Sequence, residues 1–264
     1  MQYETVHLVY FSPTRTSARI AEAIAAGTEI RHRVETDLTY GTPDSPLRIA
    51  HALVIIAAPV YGGRVAETAM ERLPLLVGDD SAVVPVVVYG NRDYEDALRE
   101  LTDFTRNAGF TPVAGGAFIG EHSYSRPDLG MPLAAGRPDA EDLAAAESLG
   151  KAVAAKLDAV SSLNALPSLT VKGNFPYKVK GPSTPAAPLT KEEACTRCGH
   201  CIEICPTGAV AVNASGEVAS DKFLCIKCCA CVKECPEEAR VFDTPYTALL
   251  FHNFKDRRVP DTFI

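Results

Sequence analysis

Eight cysteines stand in two copies of one spacing. The run Cys195-Thr-Arg-Cys198-Gly-His-Cys201-Ile-Glu-Ile-Cys205-Pro206 recurs as Cys225-Ile-Lys-Cys228-Cys-Ala-Cys231-Val-Lys-Glu-Cys235-Pro236. Each copy reads C-x2-C-x2-C-x3-C-P. In this pattern the first three cysteines wrap one corner of a four-iron, four-sulfur cube, and the fourth reaches the other cube of a pair. The rule predicts Cys195, Cys198, Cys201 and Cys235 on one cluster, and Cys225, Cys228, Cys231 and Cys205 on the other. Thiolate sulfur is the soft ligand such iron needs. A zinc ribbon built on C-x2-C pairs is the competing reading. It has no use for the third cysteine of each copy or for the crossed fourth.

All nine cysteines lie between Cys195 and Cys235. Clustering of this kind reads as metal binding rather than as a disulfide framework. Cys229, the ninth, is expected to be a small buried apolar side chain among the ligands, since free cysteine behaves as a small hydrophobe. His200 is out of step with the ligand spacing and is expected at the surface or as a donor behind a ligand. The residues around the motifs resemble those of bacterial dicluster ferredoxins, with Cys205-Pro-Thr-Gly-Ala-Val210 as the typical exit from the first motif. The dicluster domain is expected over residues 190–242, with an α+β fold.

The elements ahead of the motifs alternate. Val6–Phe11, Val34–Leu38, Leu53–Ala58, Ala82–Tyr89 and Thr111–Ile119 read as strands. Leu53–Ala58 is a continuous apolar run, as a central parallel strand requires. Pro85 weakens the Ala82–Tyr89 run, because proline cannot donate to a ladder. Thr16–Ala26, Glu67–Leu76, Asp93–Asn107 and Asp139–Leu163 read as helices, and Ala97, Leu98, Leu101 and Phe104 form the apolar stripe of the third. Strand and helix in alternation predict an α/β domain over residues 1–165, a doubly wound five-stranded parallel sheet. No helix is evident between the second and third strands, where Thr42–Pro46 holds two prolines, so that crossover is expected to be short or irregular. Residues 166–189, with prolines from Pro167 to Pro188, read as a stiff linker. The tail, 243–264, carries Tyr246, Phe251, Phe254 and Phe263 and is expected to pack on one of the domains.

Three loops follow strands at their C-terminal ends, where open α/β sheets bind ligands. Ser12, Pro13, Thr14, Arg15, Thr16 and Ser17 lead into the first helix, and hydroxyls with backbone N–H groups at a helix N-terminus make an anion site. Read plainly, the run is an ordinary Ser/Thr helix cap. Pro59, Val60, Tyr61, Gly62, Gly63 and Arg64 follow the third strand. Tyr89, Gly90, Asn91, Arg92, Asp93 and Tyr94 follow the fourth. Tyr61 and Tyr94 offer rings able to stack on a planar ligand.

With these loops the chain resembles flavodoxin-like domains fused to a dicluster ferredoxin, over nearly its whole length. The resemblance implies bound FMN. It implies that Ser12, Thr14, Thr16 and Ser17 hold the phosphate, that Tyr61 and Tyr94 flank the ring, and that Gly62, Gly90 and Asn91 bring backbone groups to its edge. The family usually has glycine where this chain has Arg15, which would either pair with the phosphate or block the tight turn. A long polar loop, Gly120–Pro138, lies on the same edge. Such loops are often functional, and His122 there is a candidate contact for flavin or substrate.

The formal charge of -7 argues against nucleic acid or an anionic membrane as the main partner. The first residues carry Glu4 and no basic stretch, so they do not read as a signal peptide. The longest apolar run, near Leu53–Tyr61, is far short of a membrane span. The expectation is a cytoplasmic electron carrier that passes electrons among FMN, two clusters and a redox protein partner. Two alternatives stay open: an FMN-dependent reductase of a small molecule fed by the clusters, and a ferredoxin whose first domain is a flavin-free docking module. No G-x-G-x-x-G loop follows a strand, so a nicotinamide-binding domain is not expected.

Overall fold

The computed structural model describes residues 3–264. Elements in the first half run β1 (Thr5–Tyr10), α1 (Thr16–Gly27), β2 (His32–Asp37), β3 (Leu47–Ala50), β4 (Leu53–Tyr61), β5 (Arg64–Val65), α2 (Glu67–Arg72), β6 (Leu76–Asp79), β7 (Ala82–Tyr89), α3 (Ala97–Asn107), β8 (Thr111–Pro112), β9 (Gly115–Ile119) and α4 (Ala140–Asp158). The cysteine-rich part holds β10 (Leu189–Thr190), α5 (His200–Glu203), β11 (Val210–Val212), β12 (Val218–Ser220), α6 (Ala230–Lys233) and β13 (Arg240–Val241). The tail forms α7 (Tyr246–Phe254) and β14 (Asp261–Phe263).

The main sheet runs β14-β9-β7-β4-β1-β2. Five of its strands are parallel, in the flavodoxin order, with β1 and β4 as neighbours at the point where the winding reverses. The expected five-stranded sheet is extended by β14, which pairs antiparallel with β9 through Asp261–Ala117 and Phe263–Gly115. Three residues of strand at the end of a chain carry too short a pattern to be read.

Alternate strand residues feed two cores, as a sheet covered on both faces requires. Val6, Leu8, Leu53, Ile55, Val84 and Val86 pack under α1 and α4. Val9, Val54, Ile56, Val83 and Val87 pack on the other face with Leu98 and Leu101 of α3. Pro85 is accommodated inside β7 because the strand beside it is broken there. Thr111–Pro112 pairs with Ala82–Val83, pairing resumes at Val86–Gly116, and Pro85 stands in the gap. The crossover between β2 and β4 has no helix. It contains β3, which pairs with β6 as a small parallel sheet of its own.

The linker is a strap rather than a spacer. Leu169 is buried, and its carbonyl accepts from Arg106. Gly173 O accepts from Arg99 at 3.3 Å. Asp96 accepts from the backbone N–H groups of Asn174 and Lys178, each at 2.7 Å. Tyr177 donates to Asp103 at 2.8 Å. The segment is thereby fastened along α3.

Candidate electron-transfer site

The cysteine-rich part folds as two similar turns. In each, a left-handed residue follows the first cysteine by two positions, Arg197 at φ 58 and Lys227 at φ 58. A second left-handed residue opens the short helix that carries the third cysteine, Gly199 at φ 84 and Cys229 at φ 59. The ninth cysteine therefore stands where the other copy has glycine. It is 2% exposed, and its thiol donates to Lys227 O at 3.6 Å.

These turns gather the thiols into two groups around two cavities. Cys195, Cys198, Cys201 and Cys235 line a cavity of about 330 Å³, with Arg240 and Val218. Cys205, Cys225, Cys228 and Cys231 line one of about 320 Å³, with Cys229 and Ile226. Each fourth cysteine lies with the three of the other copy. Among the described residues no three Cys, His, Asp or Glu groups converge on a point that would hold a single ion. Burial raises the thiols of Cys201, Cys225 and Cys231, and that of Cys228 to about 12, so metal must displace their protons on binding. Backbone N–H groups point at two of the sulfurs, Ala209 N to Cys205 Sγ at 3.2 Å and Lys227 N to Cys225 Sγ at 3.4 Å. His200 sits half-buried in the lining of the first cavity.

The loop between β1 and α1 is built to receive an anion. Ser12 N donates to Thr39 Oγ1 at 2.8 Å, and Ser12 Oγ accepts from Ala18 N at 3.1 Å. Ser17 Oγ is fully buried and meets no partner. Among the described residues no acceptor meets the N–H groups of Thr16 and Ser17. Thr14 and Thr16 bring their hydroxyls within 3.5 Å of each other. Arg15 neither blocks the turn nor lines the site. It takes the left-handed conformation at φ 60 that glycine would take. Its guanidinium turns outward, to Glu22 Oε1 at 2.7 Å and Tyr10 Oη at 3.3 Å.

The second loop is a two-residue β-hairpin. Val60 pairs with Val65 and Tyr61 with Arg64. Gly62 at φ 66 and Gly63 at φ 82 supply the two left-handed positions that such a tight turn demands. A Cβ on Gly63 would run into Glu95, so that glycine serves the protein's own packing. Pro59 O accepts from Ala66 N at 2.9 Å. Tyr61 ends β4 half-buried.

The third loop departs from the expectation. Tyr94 does not flank Tyr61: it is 1% exposed, packs on Tyr89, and donates from its hydroxyl to Asp261 of β14 at 2.7 Å. Asn91 spends its amide on the tail, donating to Phe254 O at 2.5 Å and Asp256 O at 2.8 Å. Gly90 is covered by the His122 ring. Arg92 pairs with Glu95 at 2.6 Å, and Asp93 accepts from Glu95 N at 2.9 Å and from Lys172 at 3.4 Å. Tail and strap together hold this loop closed, and neither contact has a local sequence signal.

The second cysteine group rests on the first half where Tyr61 emerges. Burial raises the Tyr61 phenol well above its usual range, with Cys228, Cys229, Tyr124 and Cys225 adding to the effect. Ile226 packs into the core cluster that includes Tyr61. Arg72 at the end of α2 donates to Leu38 O at 2.8 Å and Thr39 O at 2.5 Å on one side and to Pro206 O at 2.7 Å on the other. Lys233 of α6 pairs with Glu121 at 2.6 Å. Tyr124 packs on Phe242, ring centres 5.4 Å apart. The second aromatic at the junction is thus Tyr124, from the long polar loop, in place of Tyr94. Cys198 in the first group is exposed and faces away from this buried end.

Residues 194–240 match the family model of the 4Fe-4S dicluster domain, and the sheet ahead of them has the flavodoxin strand order. The chain is a flavodoxin-like domain fused to a dicluster ferredoxin domain. Its architecture is that of an electron-transfer protein. The ferredoxin domain is 37% identical over 70 residues to one subunit of the polysulfide reductase of Wolinella succinogenes, a stretch covering 25% of this chain and 37% of that protein. It is 35% identical over 52 residues to pyruvate synthase subunit PorD of Methanocaldococcus jannaschii, covering 20% of this chain and 60% of that protein. The chain spans less than two thirds of the length of each. A solved flavodoxin from the domain Archaea is similar at 16% identity and a TM-score of 0.38, over 58% of this chain and 99% of that one. Among the described residues no helix is long and apolar enough to cross a membrane.

Proposed function

We propose that the protein passes electrons between a bound FMN and two 4Fe-4S clusters, and exchanges them with an external redox protein. The observation that carries this reading is the contact of Tyr61 with the second cysteine group. It joins the ligand-binding end of an open sheet to a cluster-sized cavity. In this reading residues 1–165 carry the flavin, 166–189 strap the domain, 190–242 carry the clusters, and 243–264 complete the sheet edge.

Cys195, Cys198, Cys201 and Cys235 hold the first cluster, and Cys225, Cys228, Cys231 and Cys205 the second. Support comes from the two cavities, each lined by four thiols drawn from both motifs. A lone zinc ion with sulfurs at about 2.3 Å would leave most of such a space empty. The exposed Cys198 makes the first cluster the end that meets the partner.

The residues also fit an FMN phosphate. The orphaned Ser17 hydroxyl, the free N–H groups of Thr16 and Ser17, and the positive end of α1 lack only an anion. Thr14 and Thr16 add hydroxyls, and Tyr61 bounds the ring. FMN, when bound, supplies exchange between one- and two-electron transfer. The second cysteine group keeps water from the Tyr61 face.

A second reading is favoured by the same crowding. Asn91 and Tyr94 are engaged by the tail, and the ferredoxin domain lies on Tyr61, as a flavin-free docking module would have it. One measurement separates the two: iron, acid-labile sulfide and acid-released FMN per chain, on protein purified without oxygen. About eight irons, from two cubes of four, with one FMN are expected. Eight irons and no FMN, even after FMN is added, would establish the docking module instead. Zinc in place of iron would overturn the cluster assignment.

A further inference from the structure

Arg240 is a buried arginine without a carboxylate. It lies on β13 at 2% exposure. Nη1 donates to Thr190 Oγ1 at 2.5 Å. Nη2 donates to Pro188 O at 3.3 Å, to Ser220 Oγ, and to Cys231 Sγ at 3.8 Å. Nε is buried and meets no acceptor. Among the described residues every partner of this cation is neutral oxygen or cysteine sulfur. Burying an unpaired charge so deeply is strongly unfavourable, and three hydrogen bonds to neutral oxygens do not supply a counter-charge.

The internal repeat sharpens the point. Arg240 follows Cys235 at the interval by which Val210 follows Cys205. Both residues open a strand of a two-stranded ladder, Val210 opposite Ser220 and Arg240 opposite Thr190. Val210 fills its place as a hydrophobe at 4% exposure. Packing alone is satisfied by an aliphatic side chain in the first copy, so the guanidinium in the second has another purpose.

Its position identifies that purpose. Arg240 lines the cavity of the first cysteine group, while its Nη2 reaches Cys231 of the second. Its charge offsets part of the burial that raises Cys201 in one group and Cys225 and Cys231 in the other. Thiolate-ligated clusters are net negative and gain one further unit of negative charge, with no proton, on accepting an electron. A fixed cation between them favours that step at both.

Resting on the cluster assignment above, we propose that Arg240 is the shared counter-ion of the two clusters, a positioning residue that holds both reduction potentials up. Hydrogen bonding and burial are known to set such potentials; here a full charge joins them. Arginine suits the place because its planar fork keeps its charge and donates in several directions at once.

The test is an EPR-monitored redox titration of the intact protein with dithionite, beside iron and sulfide counts, for native, Arg240→Gln and Arg240→Lys. Iron-replete Arg240→Gln is expected to be at least tenfold harder to reduce at each cluster, about 59 mV for one electron. Arg240→Lys should stay near native. If Arg240→Gln fails to retain iron, Arg240→Lys decides: full iron with near-native potentials supports the proposal, and iron loss there too marks a packing requirement and overturns it. An iron-replete Arg240→Gln with unmoved potentials overturns it, as does a shift at one cluster only. Native protein without eight irons would instead sink the cluster assignment.

Discussion

The hydroxyl of Tyr94 donates to the carboxylate of Asp261 at 2.7 Å, so an aromatic ring at the expected flavin edge closes a seam between the core and the final strand. Burial and the carboxylate both push this phenol far up, and it remains a donor at any working pH. The two tyrosines of the ligand edge therefore have separable roles. Tyr94→Phe should lower stability by about 1 kcal/mol, the worth of one such bond, and leave FMN content unchanged. Tyr61→Leu should do the reverse, weakening FMN binding at near-native stability. Urea denaturation and FMN fluorescence titration of both variants check this, and FMN loss in Tyr94→Phe would contradict it.

Ser17 gives a sharper separation, because its Oγ is buried and unpaired in the protein alone. A buried hydroxyl without a partner is destabilising by about 1–3 kcal/mol. Ser17→Ala should therefore raise the stability of the FMN-free protein. If the hydroxyl meets the phosphate, the same change should weaken FMN binding about tenfold, as expected for a hydrogen bond to a charged group. Opposite signs in the two measurements are the signature. A variant that is less stable and binds FMN normally would place the hydroxyl in the protein's own packing.

The cysteine spacing carried the most information, because a cube needs its thiolates at fixed short intervals and a crossed fourth ligand leaves its proline-marked imprint. The sheet was nearly as legible, since buried parallel strands must be continuous apolar runs. Pro85 misled only about strength: whether a missing donor matters depends on the neighbouring strand, and that strand breaks opposite it. Arg15 was ambiguous for a similar reason. Sequence registers that a left-handed position lacks its glycine, at about 1–2 kcal/mol, but not that Glu22 and Tyr10 draw the side chain outward. Tyr94 and Asn91 were misread because their partners lie in the tail, far along the chain, where no local pattern reveals contact. Tyr124 stood in a loop flagged by its length, and Arg240 was detectable by laying the two motifs over each other and noting where valine becomes arginine.

His122 makes stability depend on pH. Its Nδ1 accepts from Tyr124 N at 2.9 Å, and its ring covers Gly90. Burial, with Lys233 and Arg92 nearby, lowers its pKa from 6.5 to about 4. The unfolded chain takes up this proton as pH falls through about 6.5, whereas the folded ring stays neutral until about pH 4. Between those values the unfolded state binds more protons. The contribution is complete above pH 6.5 and is lost as pH falls toward 4, with a ceiling of about 3 kcal/mol because the ring keeps some solvent contact. His122→Asn, which can offer an amide oxygen in place of Nδ1, should flatten stability against pH in that window. An unchanged slope would assign the acid sensitivity elsewhere.

Cys229 tests the division between ligand and filler inside one motif. It lines the second cavity beside Cys225, Cys228 and Cys231, so proximity alone does not exclude it as a ligand. Its backbone argues the other way, since it holds the left-handed place that Gly199 holds in the first copy. Its thiol donates to Lys227 O, and burial keeps that thiol protonated well above the usual range. Cys229→Gly would relieve about 1–2 kcal/mol of left-handed strain while giving up a small buried side chain worth a similar amount. Stability should scarcely move, and iron per chain should stay at about eight. Cys228→Ala should cost about half the iron and the EPR signal of one cluster. If Cys229→Gly loses iron and Cys228→Ala keeps it, the two cysteines have exchanged roles and the repeat is not symmetric at its second cluster.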